Sequence, residues 1–158
     1  MIYNLKDAVI TLKDGTPTTP KTLEIVADEG DLSFSESREI NPIMDRGSLA
    51  LIREGNETMV DVSFSIKYSG LLGSATPTVY EALKKQGTGG STWQSTNADS
   101  EVYTVDIEFE VSDPSTGSPV EVIRISKFAY EKIEFKEGEE YDTLSVSGKA
   151  FAVTVAAS

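Results

Sequence analysis

The chain has 158 residues, a length typical of one domain, and 39% of them are hydrophobic, so it can bury a core without cross-links. Its 26 acidic residues outnumber its 14 basic ones, and the net charge of -12 argues against tight binding to nucleic acid or to an anionic membrane. The absence of Cys and His excludes disulfides, Ser-His-Asp triads and the usual thiolate and imidazole metal ligands. We therefore expect one non-enzymatic domain, residues 1–158, with no catalytic residue, cofactor or metal.

Most of the chain alternates apolar and polar residues, a pattern typical of half-buried β-strands. The clearest strand of the first half covers residues 60–68, where each apolar residue is followed by Asp, Ser or Lys. Shorter strands are predicted at residues 8–12, 22–27, 32–35 and 49–52. The polar segment 38–46 contains a proline and fits neither the strand nor the helix period, so we predict a loop there.

One short helix is predicted to interrupt the strands. Thr76 precedes a proline and offers one N-cap, while Thr78 and Glu81 offer a capping box in a competing register. Gly87 is predicted to end this helix. The Gly/Ser/Thr-rich segment 88–97, which holds the only tryptophan, is predicted to be a loop. This tryptophan could pack on the core or anchor an interface.

The second half is again predicted to be β-structure, with strands at residues 103–111, 120–135 and 144–153. Tight turns at residues 113–117 and 137–140 separate them and indicate antiparallel pairing, because parallel pairing needs long crossovers. The predicted fold is mainly β: eight or nine antiparallel strands in a β-sandwich or partly open barrel, with one short flanking helix.

The negative charge is concentrated in residues 99–142, which contain 13 acids and 4 bases. Within this segment Asp106, Glu108 and Glu110 lie on one face of a predicted strand, about 6.6 Å apart. This face is either an ordinary solvated surface or a surface that repels a polyanion.

Segments along nearly the whole chain, from about residue 2 to about residue 154, resemble the tail tube proteins of long-tailed bacteriophages. The resemblance rests on their order and spacing rather than on one motif. The segments are residues 22–36, 45–47, 60–66, 76–79, 81–84, 93–96, 103–108, 128–132 and 143–149.

The resemblance implies a β-sandwich with a flanking helix whose copies form six-membered rings with a continuous inner β-barrel. The rings stack into a hollow tube in the virion tail, assembled in the bacterial cytoplasm, through which the DNA genome passes without specific binding. The implied partners are further copies of the chain, the tape measure protein, and the tail terminator and tail-tip proteins.

The resemblance also suggests roles for individual residues. Because tube lumens are typically acidic, Asp106, Glu108 and Glu110 are expected to face the lumen, and Asp61 on another predicted strand could line the same bore. The segment 38–46 corresponds to a long loop that contacts the next ring. Its charged residues, the expected inter-ring contacts, are Arg38, Glu39, Asp45 and Arg46. Residues 1–6 could form an arm that reaches a neighbour.

Three other functions remain open on the sequence alone. The tube of a contractile injection or secretion machine shares the same architecture, and a gene neighbourhood with a tape measure and a terminator would favour a phage. A monomeric β-sandwich that binds carbohydrate would display aromatic side chains, but most Tyr and Phe here fall on predicted core positions. A carboxylate-based glycosidase would need a cleft for which the sequence gives no signal.

Overall fold

The computed structural model describes residues 8–25, 32–67, 73, 75–113, 115–140 and 142–157. The N-terminal segment 1–6, predicted to reach a neighbour, and the turn at residues 29–30 lie outside these ranges. The elements in chain order are β1 (Ala8–Lys13), β2 (Thr22–Ile25), β3 (Ser33–Ser35), β4 (Ile40–Asp45), β5 (Ser48–Glu54), β6 (Val60–Lys67), α1 (Val79–Lys84), α2 (Gly87–Gly90), β7 (Val105–Ser112), β8 (Pro119–Lys136), β9 (Thr143–Ala150) and β10 (Ala152–Ala157). The prediction of a mainly β, antiparallel fold is confirmed.

Strand β8 is 18 residues long and belongs to two halves of one folded sheet. Its N-terminal part pairs with β7 on one side and β10 on the other, and the order β2-β1-β7-β8-β10 is named the β7 half. Its C-terminal part pairs with β9, and the order β8-β9-β6-β3 is named the β6 half. The sheet is open, which suits a sandwich rather than a closed barrel.

Local irregularities bend the sheet where the two halves join. The β7–β8 register shifts between Val105 and Ile107, and Lys127 in β8 has a positive φ of 55°. On the other side of β8, Phe151 separates β9 from β10 and donates its N–H to the Ser126 carbonyl at 3.0 Å. Bulges of this kind bend a strand and increase its twist, so both halves can face one core.

The core lies between the two halves and is a single apolar cluster. Every second residue of β6, β7 and β9 is buried, as the alternation predicted. Phe64 of β6 meets Phe128 of β8 with ring centroids 6.2 Å apart. Trp93 is 2% exposed and belongs to this cluster, which excludes it as an interface anchor.

The structure corrects three local predictions. Segment 38–46 is not a loop, because Ile40–Asp45 forms strand β4. Of the two N-caps that the sequence offers, the structure has Thr78, which forms the capping box with Glu81. The helix ends at Lys85, in the left-handed conformation, and not at Gly87. Gly87 begins the short helix α2, so the predicted loop 88–97 is helical up to Gly90. The last predicted strand is divided between β9 and β10.

Candidate assembly surfaces

Strands β4 and β5 form a hairpin that projects from the sandwich, here called the arm. All 13 of its strand residues are exposed, and among the described residues its two strands pair only with each other. Arg46 and Gly47 have φ values of 49° and 82°, which are typical of a type I′ turn at the tip. A two-stranded hairpin is marginally stable in water, so the arm is suited to a partner surface.

One face of the arm is almost entirely apolar. Cross-strand partners share a face, and the register pairs Pro42 with Ile52 and, beyond a bulge, Met44 with Leu49. Ile40 lies further along the same side, opposite Glu54, which is the one charged residue of this face. The exposed fractions of Met44, Leu49 and Ile52 are 56%, 60% and 59%. We call this side the apolar face of the arm.

The four charged residues predicted to contact the next ring lie at opposite ends of the arm. Glu39 at the base accepts the Gly55 N–H on its carbonyl at 2.8 Å and the Asn56 N–H on Oε2 at 3.1 Å. Beside it, Arg38 lies 4.0 Å from Glu54. Asp45 and Arg46 lie at the tip, about 20 Å away at the rise of a six-residue strand. The arm therefore does not bring these four charges together.

The outward side of the β7 half carries Asp106, Glu108 and Glu110, as predicted, and is named the acidic face. Two of the three carboxylates have partners. Glu108 pairs with Lys13 at 2.9 Å and with Arg124 at 3.2 Å, while Asp106 accepts the Lys127 N–H at 3.0 Å.

The outward side of the β6 half is built mainly from short hydroxyl side chains and is named the hydroxyl face. Asp61 lies here and not on the acidic face, with its Oδ1 2.6 Å from Lys149 Nζ. This hydrogen bond raises the pKa of Lys149. The members of this face are Ser33, Ser35, Asp61, Ser63, Ser65, Lys67, Lys132, Glu134, Lys136, Thr143, Ser145, Ser147 and Lys149. Because the core separates the two faces, Asp61 and the other three predicted lumen residues cannot line one bore from within one chain.

A buried carboxylate, Asp14, was missed by the sequence reading. It is 3% exposed, and its oxygens accept N–H groups of Thr16, Lys21 and Gln94 at 3.2, 2.6 and 3.1 Å, and the Thr16 hydroxyl at 2.6 Å. Burial alone would raise its pKa, but these hydrogen bonds outweigh burial and lower it. The Asp-Gly-Thr sequence after β1, typical of an Asx turn, was the available signal.

Two other buried polar groups lie near the helices. Glu81 Oε1 accepts the N–H groups of Gly73 and Thr78 at 2.5 and 3.3 Å, which fixes the start of α1. Within the described residues, Glu81 Oε2 and the Tyr103 hydroxyl have no hydrogen-bond partner. Burial, followed by the negative charge of Asp14, raises the pKa of Tyr103.

In the described ranges, no three carboxylates converge in a way that could hold a metal ion. No helix of these ranges is both long and apolar enough to span a membrane.

No protein-family model and no curated protein sequence matches the chain. Solved structures do match it. A chain from the cap of the anti-feeding prophage, its tube-terminating cap, has a TM-score of 0.67 and 10% identity over 100% of this chain and 93% of that one.

Two chains from an extracellular contractile injection system, PVC, are similar to a comparable degree. One, from the sheath/tube terminator in the extended state, has a TM-score of 0.64 and 9% identity over 95% of this chain and 93% of that one. The other, from the extended sheath-tube complex, has a TM-score of 0.63 and 8% identity over 100% and 91%. The chain therefore shares its fold, over nearly its whole length, with chains from tail-like contractile assemblies.

Proposed function

We propose that the protein is a structural subunit of a hollow tail tube, whose copies join into rings that stack. The observation that carries this proposal is the arm, which exposes an apolar face that nothing in the described part of the chain covers. Rings of six and a continuous inner barrel, as the family resemblance implies, are part of the proposal.

The arm can supply much of the free energy of association. Six of its large aliphatic side chains are 38–60% exposed: Ile40, Ile43, Met44, Leu49, Leu51 and Ile52. Burying the exposed area of these side chains against another copy would contribute on the order of 5–10 kcal/mol to the free energy of association. That amount can offset the entropic cost of association, estimated at about 4–15 kcal/mol, when strand pairing adds to it.

The sheet offers edges for such pairing. Within the described residues β2, β3 and β10 each pair on one side only, and so does the part of β8 after Phe128. Open edges are an aggregation hazard for a free domain. In a ring the same edges would join neighbouring copies.

Two kinds of machine could contain such a tube. The sequence resemblance points to a phage tail, with DNA as the passenger and the tape measure, terminator and tail-tip proteins as partners. The structural neighbours come from contractile injection systems and favour the tube of such a system.

Electron microscopy of the concentrated full chain, alone and with the neighbouring tail-tip proteins, tests the proposal. We expect hollow tubes or stacked rings. The variant Met44→Ser/Leu49→Ser/Ile52→Ser, which removes the apolar face of the arm, should stay monomeric with an unchanged melting temperature. The control Asn41→Ser/Arg53→Ser changes the opposite face of the arm and should still assemble. A chain that stays monomeric under both conditions would overturn the proposal.

A further inference from the structure

We infer that the hydroxyl face lines the bore of the tube and that the acidic face looks outward. This inference rests on the proposed function. It reverses the expectation that Asp106, Glu108 and Glu110 face the lumen and keeps that expectation for Asp61.

The shape of the hydroxyl face supports this assignment. An open cavity of about 550 Å³ lies on it and is lined by residues from all four strands of the β6 half, including Ser33 of β3 and Lys132 of β8. Because residues of both outermost strands line one depression, the surface is concave on this side. A bore requires a concave lining.

Two sequence features produce the curvature. The β8–β9 register shifts between Tyr130 and Lys132, so Glu131 is an extra residue that bends β8. Opposite this bulge Gly148 lets the strands approach closely, because a Cβ there would lie 2.1 Å from the Ala129 carbonyl oxygen.

The chemistry of the hydroxyl face suits a passage that does not hold its passenger. Four of its six serines hydrogen-bond to one another across the strands, Ser33 to Ser63 at 2.7 Å and Ser65 to Ser145 at 3.1 Å. Four of its six charged residues also pair within the face, since Asp61 meets Lys149 at 2.6 Å and Glu134 meets Lys132 at 3.4 Å. Short side chains that already have partners leave the bore wide and offer few groups to a passing molecule.

The edges of the β6 half agree with the same arrangement. Its outermost strands, β3 and the C-terminal part of β8, are the strands with one unpaired side in the described chain. Pairing β3 of one copy with β8 of the next would continue the hydroxyl face around a ring.

The absence of cysteine from the sequence makes a direct test possible, because one introduced thiol is the only labelling site. We would place Cys on the hydroxyl face at two positions, in the variants Ser147→Cys and Lys132→Cys. The side chain of Lys132 is 67% exposed. Glu110→Cys is the matched control on the acidic face. Assembled tubes of each variant would be treated with a small maleimide or with a maleimide attached to a globular carrier protein.

We expect the small reagent to label all three variants and the carrier to label only Glu110→Cys. Unassembled chains should react with both reagents at all three positions. Tubes in which the carrier labels the hydroxyl-face thiols as readily as Cys at position 110 would overturn the inference while leaving the proposed function intact. Failure of every variant and of the unmodified chain to form tubes would instead overturn the proposed function, and the assignment with it.

Discussion

Strand β6 and the arm have similar shares of apolar residues but opposite environments. Val62 and Phe64 in β6 are each 2% exposed, whereas Leu49 and Leu51 in the arm are 60% and 53% exposed. In β6 every second residue is Asp, Ser or Lys, while β5 contains Leu-Ala-Leu-Ile without alternation. This alternation is typical of a strand whose one side is buried in the core of its own chain. The arm lacks this alternation, and the apolar side chains of both its strands are exposed in the part of the chain that the structure describes.

The largest effect should come from the buried member of this comparison. Replacing Phe64 with Ala removes a ring that packs on Phe128 in the core, so we expect a loss of about 3–5 kcal/mol in the free energy of unfolding. Urea denaturation of the monomer measures it. The control Phe64→Leu, which keeps most of the volume, should cost clearly less. Equal losses in both variants would show that packing at this site is not specific.

A smaller but pH-dependent effect is expected at Asp14, whose hydrogen bonds to Lys21 and Gln94 join two loops. Asp14→Asn should cost about 1–3 kcal/mol at neutral pH, because an amide NH₂ cannot accept the N–H and O–H groups directed at the carboxylate. The hydrogen bonds hold the pKa of the folded Asp14 below 3.8, the ordinary value of an Asp side chain. The stabilisation by this carboxylate is therefore complete well above pH 3.8 and is lost as the pH falls through the lower pKa of the folded state.

Urea denaturation from pH 7 down to pH 3 tests this expectation. The difference between the parent chain and Asp14→Asn should be largest at pH 7 and shrink on acidification. Asp113→Asn is the control, because Asp113 makes similar turn hydrogen bonds to Ser115 at an exposed position, and we expect a much smaller change. A difference at Asp14 that does not vary with pH would contradict the assigned role of its charge.

The sequence predicts those parts of the fold whose signal lies within a single strand or helix. The alternation in β6, β7 and β9 and the Thr78–Glu81 capping box are of this kind. It does not predict β4, because a strand exposed on both faces needs no alternation, nor α2, whose Gly-Thr-Gly-Gly sequence disfavours a helix. The division of β8 between two halves depends on which strands pair, and its own residues do not encode that.

The candidate surfaces show the same limit. Three acidic residues on one face of β7 could be predicted from their spacing, and the structure confirms that they share it. Their charged partners could not be predicted from this spacing, since Lys13 and Arg124 come from two other strands, β1 and β8. Asp61 was grouped with them because the polar side of its own strand could line the same bore, but that strand belongs to the other half of the sheet.

The variant Tyr103→Phe is expected to have a smaller effect of opposite sign, a gain in stability. The Tyr103 hydroxyl is buried without a partner in the described residues, so Tyr103→Phe removes a polar group that gains nothing from folding. We expect the free energy of unfolding to rise, by about 1 kcal/mol or less. Thermal denaturation measures the change, and Tyr80→Phe, which removes a hydroxyl bonded to Lys84 at 2.9 Å, is the control that should not stabilise. A loss of stability in Tyr103→Phe would point to a water or ion bound at this hydroxyl.

The smallest effect on the free chain should come from the arm, and its smallness is informative. Leu49→Ala, on the apolar face of the arm, removes a side chain that is already 60% exposed, so the free energy of unfolding of the monomer should change by less than about 0.5 kcal/mol. If the arm is buried between copies, the same change should lower the urea concentration that dissociates assembled tubes. A substitution without effect on the chain but with a clear effect on the tube would place the arm's apolar partner in another copy. Equal effects in both states would instead place that partner within the chain.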